Sequence, residues 1–167
     1  MTAEIRRARP GEENAVSRLL AEVWHATHDG ELGRDKVMEI TAKWHAPALL
    51  RAQIDDPSKC FLVAEASDGS LAGHAMSWLD GDATVNLLRL YVLPVRQGGG
   101  LGRRLLAEAV AEYPAARVLR LEGQAQNAPA IRFYERLGLR AIGNTGEGGG
   151  FTDIPALVME RPLPLAG

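Results

Sequence analysis

Apolar residues recur along this chain in two rhythms. After a short strand-like segment from Ile5 to Ala8, Val16, Leu19, Leu20, Val23 and Trp24 follow an i, i+3, i+4, i+7, i+8 pattern. This is the stripe of an amphipathic helix, and Pro10-Gly11-Glu12-Glu13 suits its N-terminus. A second helix is predicted over Arg34 to Trp44, with Val37, Ile40, Thr41 and Trp44 on one face. A third is predicted over Pro47 to Ile54, stopped by Asp55-Asp56-Pro57. Two strand-like runs follow, Cys60 to Ala66 and Leu71 to Trp78, joined by Ser67-Asp68-Gly69-Ser70, where Asp-Gly signals a tight hairpin turn. A leucine- and valine-rich run from Ala83 to Val92 ends before Pro94.

The second half returns to helical spacing. Leu105, Leu106, Ala109 and Val110 form the inner face of a helix predicted over Arg103 to Tyr113 and ended by Pro114. Arg117 to Gly123 reads as a strand, Asn127 caps a helix running to Leu137, and Gly138 closes it. Leu139 to Ile142 and Ile154 to Met159 are the last predicted strands. With no internal repeat and no long linker, the elements indicate an α/β fold with a mixed sheet, in a single domain over residues 1–167.

Composition narrows the class of function. The chain has 167 residues, 46% hydrophobic and 24% charged, which excludes a disordered or collagen-like polymer. A net charge of −2 argues against nucleic acid as the partner. The charge is nonetheless divided: residues 1–83 carry nine basic and 14 acidic side chains, net −5, and residues 84–167 carry ten and seven, net +3. An anionic ligand on the second half and a cationic one on the first would fit that division. Cys60 is the lone cysteine, so no intrachain disulfide forms, and its apolar flanks Phe61, Leu62 and Val63 predict a buried structural role. The first residues lack the apolar stretch of a signal peptide and no apolar run approaches the ~20 residues of a membrane span, so a cytoplasmic protein is expected. Four scattered histidines, read as lacking i, i+4 pairing to carboxylates, predict no metal site.

Eight of the 18 glycines lie in two clusters, Gly98, Gly99, Gly100 and Gly102, then Gly146, Gly148, Gly149 and Gly150. The first sits between a strand and a helix, with Arg96, Arg103 and Arg104 around it and no acidic residue between Tyr91 and Ala107. Such a loop lets backbone N–H groups converge on an anion at a helix N-terminus, and phosphate is the natural ligand. No Lys-Ser or Lys-Thr follows, which excludes a P-loop, and Arg103 or Leu105 stands where a dinucleotide fingerprint needs its third glycine. The second cluster bridges the last two predicted strands, and nothing in its pattern assigns it a role.

Gln97-x-x-Gly100-x-Gly102, preceded by Leu90-Tyr91-Val92-x-Pro94, resembles the acyl-CoA signature of the GNAT N-acetyltransferase superfamily. The stretch from Asn127 through Phe133-Tyr134 to Gly138-Leu139 is similar to a second motif of that family, with Leu139 in place of phenylalanine. The resemblance covers nearly the whole chain. It implies a single-domain GNAT-like fold: a mostly antiparallel sheet of about seven strands, splayed at the acyl-CoA site and flanked by helices. It also implies acetyl-CoA as cosubstrate, an amine acceptor (a small molecule, or a protein N-terminus or lysine), and a possible homodimer.

By the same resemblance, Gly98, Gly99, Gly100, Leu101, Gly102 and Arg103 hold the CoA pyrophosphate after Gln97. Leu90, Tyr91 and Val92 pair with the pantetheine arm, one of their N–H groups polarising the thioester carbonyl. Asn127 bonds the cofactor arm, caps its helix, or does both. Tyr134 is the acid that protonates the leaving thiolate, its alternative being a packed aromatic. Glu122 is the candidate base, its alternative a solvated carboxylate partnered by Arg120. Asn86 stands where another branch of the family has its glutamate, which leaves Glu122 through a water, His28 and Glu39 open as bases. Trp24, His25, His28, Trp44, Trp78 and Asp153 are expected around the acceptor. Because Cys60 is remote from the motifs, transfer is expected to be direct. A non-catalytic acyl-CoA sensor is the competing reading.

Overall fold

The computed structural model describes residues 2–145 and 156–165. The second glycine cluster, Asp153 and the start of the last predicted strand lie outside the described residues. Seven strands form one open, mostly antiparallel sheet in the order β1-β2-β3-β4-β5-β7-β6, flanked by helices. By chain contacts the molecule divides into two compact units, Met1–Ser77 with Arg89–Glu112, and Trp78–Leu88 with Tyr113–Gly167.

In the first unit, β1 (Glu4–Arg7) pairs antiparallel with β2 (Lys59–Glu65). Helix α1 (Glu13–Leu32) buries the stripe read from the sequence, Val16, Leu19, Leu20, Val23 and Trp24. It runs eight residues past Trp24, because His28, one turn on, is buried on the same stripe although it is not an apolar residue. Helices α2 (Arg34–Trp44) and α3 (Pro47–Asp55) add Val37, Ile40 and Leu50 to the core. Strand β3 (Leu71–Asp80) follows a hairpin turn in which Gly69 has φ +86°, the left-handed backbone that an Asp-Gly turn calls for. Strand β4 (Thr84–Val92) begins in the second unit and ends in the first.

Helix α4 (Leu101–Ala111) starts two residues before its predicted start, capped by Gly100 in the left-handed conformation, and buries Leu101, Leu105, Leu106, Ala109 and Val110. Its seat on β3 depends on Gly73. A Cβ there would stand 2.9 Å from the Leu105 side chain and 2.9 Å from the Tyr91 carbonyl oxygen, closer than packed atoms allow.

In the second unit, β5 (Val118–Gln124) pairs parallel with β4 from Thr84↔Val118 to Leu87↔Leu121. The β4-α4-β5 segment is therefore a crossover, the connection that parallel neighbours require. β5 also pairs antiparallel along its full length with β7 (Ala156–Pro162), which pairs in turn with β6 (Arg140–Thr145). Helix α5 (Ala128–Arg136) is capped by Asn127, whose side chain accepts from the Ala130 N–H, and Gly138 ends the turn after it with φ +88°. Cys60 is buried on β2, and burial pushes its thiol up, away from the reactive thiolate.

Gly73→Ala is expected to destabilise the protein by about 1–3 kcal/mol, since the Tyr91 carbonyl that it meets is backbone. Gly99→Ala, at a position with open space and no left-handed φ, is expected to cost under about 0.5 kcal/mol. Urea unfolding of the two variants checks the contrast, and equal losses would mean that Gly73 is not the contact that seats α4.

Candidate functional site

The first unit carries the strand and loop singled out by the sequence. The parallel ladder on β4 stops at Leu87, so Leu88 through Val92 have no β5 partner in it. The other edge stays tied to β3, where the Leu93 N–H donates to the Ala72 carbonyl at 2.9 Å. A single turn at Pro94–Arg96 leads to the glycine loop. Gln97 closes the strand end by donating its side-chain amide to the Val92 carbonyl at 3.0 Å. Gly98 and Gly100 have φ of +90° and +85°, and only those two of the cluster require glycine for their backbone. No atom lies within 4 Å of a Cβ built on Gly98, Gly99 or Gly100, so the loop faces open space. The first turn of α4 leaves the N–H groups of Leu101, Gly102 and Arg103 without carbonyl partners inside the helix. Arg96 and Arg103 are exposed beside the loop. Arg104, expected to join them, instead donates to the Ala3 carbonyl at 2.9 Å, because it points along α4 toward the chain start.

Beneath β4 lies a buried polar layer that sequence reasoning missed. Period-2 alternation puts Val85, Leu87, Arg89 and Tyr91 on one face of the strand, and Arg89 is 6% exposed. Its Nε–H donates to His74 Nε2 at 3.1 Å; Nη2 reaches Gln53 Oε1 and, at 3.4 Å, the Met76 sulfur. Since His74 Nε2 accepts, its proton is on Nδ1, which donates to the Leu62 carbonyl at 2.7 Å. The Tyr91 hydroxyl accepts from the Trp24 indole N–H at 3.1 Å. Burial pushes that phenol up, against the opposing pull of the Trp24 hydrogen bond and the Arg89 charge. His45 closes the layer, with Trp24 and Tyr91 edge-on to its ring at 5.9 and 6.5 Å between centroids. It is 4% exposed and its Nδ1 has no partner among the described residues. The available sequence signal was Arg89 itself, a cation on the inward parity of an otherwise apolar strand.

Several expectations about the first unit change. Trp24 and His28 are core residues with ring centroids 4.4 Å apart and planes tilted by 44°, buried because they extend the apolar stripe of α1, so neither lines a surface pocket. Burial lowers the basicity of His28, which weakens it as a base. Glu39 is 74% exposed and sits 3.9 Å from Lys36. The histidines are not all without carboxylates: His25 Nδ1 and Asp29 Oδ1 lie 2.7 Å apart one helical turn from each other on α1. Among the described residues, no three His, Cys, Asp or Glu side chains come together as metal ligands.

In the second unit, a Cβ on Gly123 would lie 2.8 Å from Ile131 and 3.8 Å from the Tyr134 ring, so α5 rests directly on that face of β5. Tyr134 is buried there. Strand alternation turns the neighbouring Glu122 to the opposite face, where it is exposed. Arg120, expected as its partner, is engaged instead with its cross-strand neighbour Glu160 at 2.5 Å, because the β5–β7 register sets those two residues opposite each other. Asn86 is half-buried on β4.

Residues 19–139 match the family model described as "Acetyltransferase (GNAT) family". Streptothricin acetyltransferase of Streptomyces lavendulae is 29% identical over 98% of this chain and 96% of its own length. Mycothiol acetyltransferase of Kineococcus radiotolerans is 36% identical over 77% of this chain, which spans 40% of that longer protein. Among solved structures, the PaiA N-acetyltransferase of Thermoplasma acidophilum in complex with coenzyme A has a similar fold, with a TM-score of 0.85 at 22% identity over 98% of this chain and all of that one. The Escherichia coli ribosomal-protein-S18-alanine N-acetyltransferase aligns with a TM-score of 0.72 at 22% identity, over 99% and 96% of the two chains.

The buried histidines set an acid limit on stability. Burial and the Arg89 charge hold His45 down to about 3, against an ordinary 6.5; His28 and His74 shift in the same direction. The unfolded chain binds protons that the folded one refuses, so this contribution is whole above pH 6.5 and is lost as the pH falls from there toward 3. The unfolding free energy should drop between pH ~6 and ~4, and His45→Leu should make that slope shallower by up to about 1.4 kcal/mol per pH unit. Urea melts across that range check it; an unchanged slope in the variant would exclude His45 as a source.

Proposed function

The chain belongs to the GNAT acetyltransferase family, and on that premise we propose that it transfers an acetyl group from acetyl-CoA to a primary amine by direct attack. The observation that carries the reading is the early end of the parallel ladder on β4, followed at once by an open glycine loop and the start of α4. Acetyl-CoA supplies the activated acetyl group. Leu90, Tyr91 and Val92 offer the main-chain groups that an extended pantetheine arm pairs with, as a strand partner would. The N–H groups of Gly98 to Arg103 and the positive end of α4 receive the pyrophosphate, with Arg96 and Arg103 adding charge. Gln97 holds the loop to the strand end through Val92. Asn127 caps α5 and presents its side-chain N–H to the cofactor arm.

The reaction forms an N–C bond and breaks the C–S bond, so one proton leaves the ammonium and one reaches the thiolate. Tyr134 donates the second. A phenol carries a proton that it can give up to sulfur as negative charge develops there. Glu122 takes the first; it is exposed on the face of β5 opposite the one that α5 covers. The acidic first half of the chain favours a cationic acceptor. The relatives named as a streptothricin acetyltransferase and a mycothiol acetyltransferase are consistent with acetyl transfer. One observation favours the alternative of a non-catalytic acyl-CoA sensor: Glu122 is exposed and has no hydrogen bond or ion pair among the described residues that would hold its carboxylate in place.

Tyr134→Phe is expected to lower kcat by about 10²-fold or more while acetyl-CoA affinity stays within about threefold. Steady-state assay of thiol release over a panel of amines, with calorimetric titration of acetyl-CoA, checks both numbers. A fully active variant would remove Tyr134 from the acid role. Acetyl-CoA binding to the wild type with no amine acetylated would favour the sensor.

A further inference from the structure

We infer that Arg89 is a positioning residue for acyl transfer: a buried cation without a counter-charge whose field acts through the β4 segment that follows it and favours negative charge growing on the acyl carbonyl. The inference rests on the acetyl-transfer reading above and adds to it a residue outside both motifs.

An arginine in a core is normally paired with a carboxylate, because an unpaired buried charge costs several kcal/mol and an apolar residue of similar volume does better. Among the described residues Arg89 has no such partner: every ion pair within 4.0 Å involves other side chains. What surrounds its guanidinium is neutral. Gln53 from α3 and the Met76 sulfur accept from Nη2, and the Phe61 ring lies 5.7 Å away. His74 accepts from Nε and is kept uncharged by burial and by Arg89 itself. Three elements thus solvate a cation without neutralising it, and the charge survives: burial lowers the guanidinium only to about 10, still protonated at neutral pH.

An uncancelled charge in a dry surrounding acts over a longer distance than one at the surface. Beside the larger effect of burial, the Arg89 charge disfavours protonation of His45 and His74 and favours ionisation of the Tyr91 phenol. Tyr91 is two residues further along the strand, inside the segment whose main chain is open. A fixed positive field at that place costs no reorganisation when a carbonyl oxygen there becomes negative, which is the condition under which electrostatics lowers a barrier.

Charge and fork geometry separate in two substitutions. Arg89→Met removes the charge and keeps most of the volume; Arg89→Lys keeps the charge and loses the planar fork. With an amine that the wild type acetylates, the field predicts that Arg89→Met lowers kcat by about tenfold with the KM for acetyl-CoA within about twofold, while Arg89→Lys keeps kcat within about threefold. Should Arg89→Met fail to fold, Arg89→Gln supplies the neutral variant. Infrared difference spectra with carbonyl-labelled acetyl-CoA give a readout that a structural strut would not move: the thioester carbonyl stretch should lie lower in the wild type and Arg89→Lys than in the neutral variant. Equal losses in the lysine and neutral variants, full kcat in the neutral one, or an unmoved carbonyl stretch would each overturn the inference while leaving acetyl transfer standing. A wild type that acetylates no amine would overturn both.

Discussion

The main-chain hydrogen bonding of β4 is the constraint from which the rest of this structure follows. Its parallel ladder lasts four residue pairs, to Leu87, while its other edge remains bound to β3 as far as the Leu93 N–H. A strand held on one side and released on the other presents polar groups that must find a partner in water or in a ligand. The packing around it keeps it in that condition. Gly73 leaves room on β3 for both the Leu105 side chain of α4 and the Tyr91 carbonyl, and Gln97 ties the loop to Val92. The strand end, the loop and the helix start are thereby held in one arrangement by contacts that are all local to the first unit.

The layer under β4 runs against the usual composition of a core. Arg89, His74 and His45 are buried in positions that a core ordinarily fills with apolar side chains, and His45 keeps a ring nitrogen without a partner among the described residues. Polar groups in a low-dielectric site are costly and also electrostatically effective, for the same reason. The layer is consistent with a chain that gives up stability where it needs a fixed field, a trade found at functional sites more than in ordinary cores. The second unit shows the simpler device of strand alternation. Gly123 admits α5 and Tyr134 to one face of β5, and the adjoining Glu122 is directed to the other.

Most of the element plan was legible in the sequence. The stripe of α1, the bounds of α2, the Asp-Gly turn, the cap at Asn127 and the closing Gly138 depend on residues within a turn or two of each other, and these interactions act locally. The glycine loop was legible for the same reason, down to its exclusion as a nucleotide motif. Misreadings fell where a partner is distant in sequence. Arg104 was read as part of the loop but is drawn to Ala3, 101 positions away. Arg120 was assigned to Glu122, two positions off, but pairs with Glu160 across a ladder. Trp24 and His28, expected around the acceptor, are buried by the phase of α1. Those burials and the His25–Asp29 pair are local effects, set by helical spacing within α1.

The sequence alone determined that this chain makes an α/β fold with a glycine-rich loop between a strand and a helix, because periodicity, turn chemistry and backbone permissiveness are properties of short segments. Only the tertiary structure decided that the parallel ladder on β4 ends at Leu87, that Tyr134 and Glu122 occupy opposite faces of one strand environment, and that Arg89 is buried among neutral side chains. Register, burial and uncompensated charge arise from pairings between residues tens of positions apart, and no local pattern encodes which of those pairings wins.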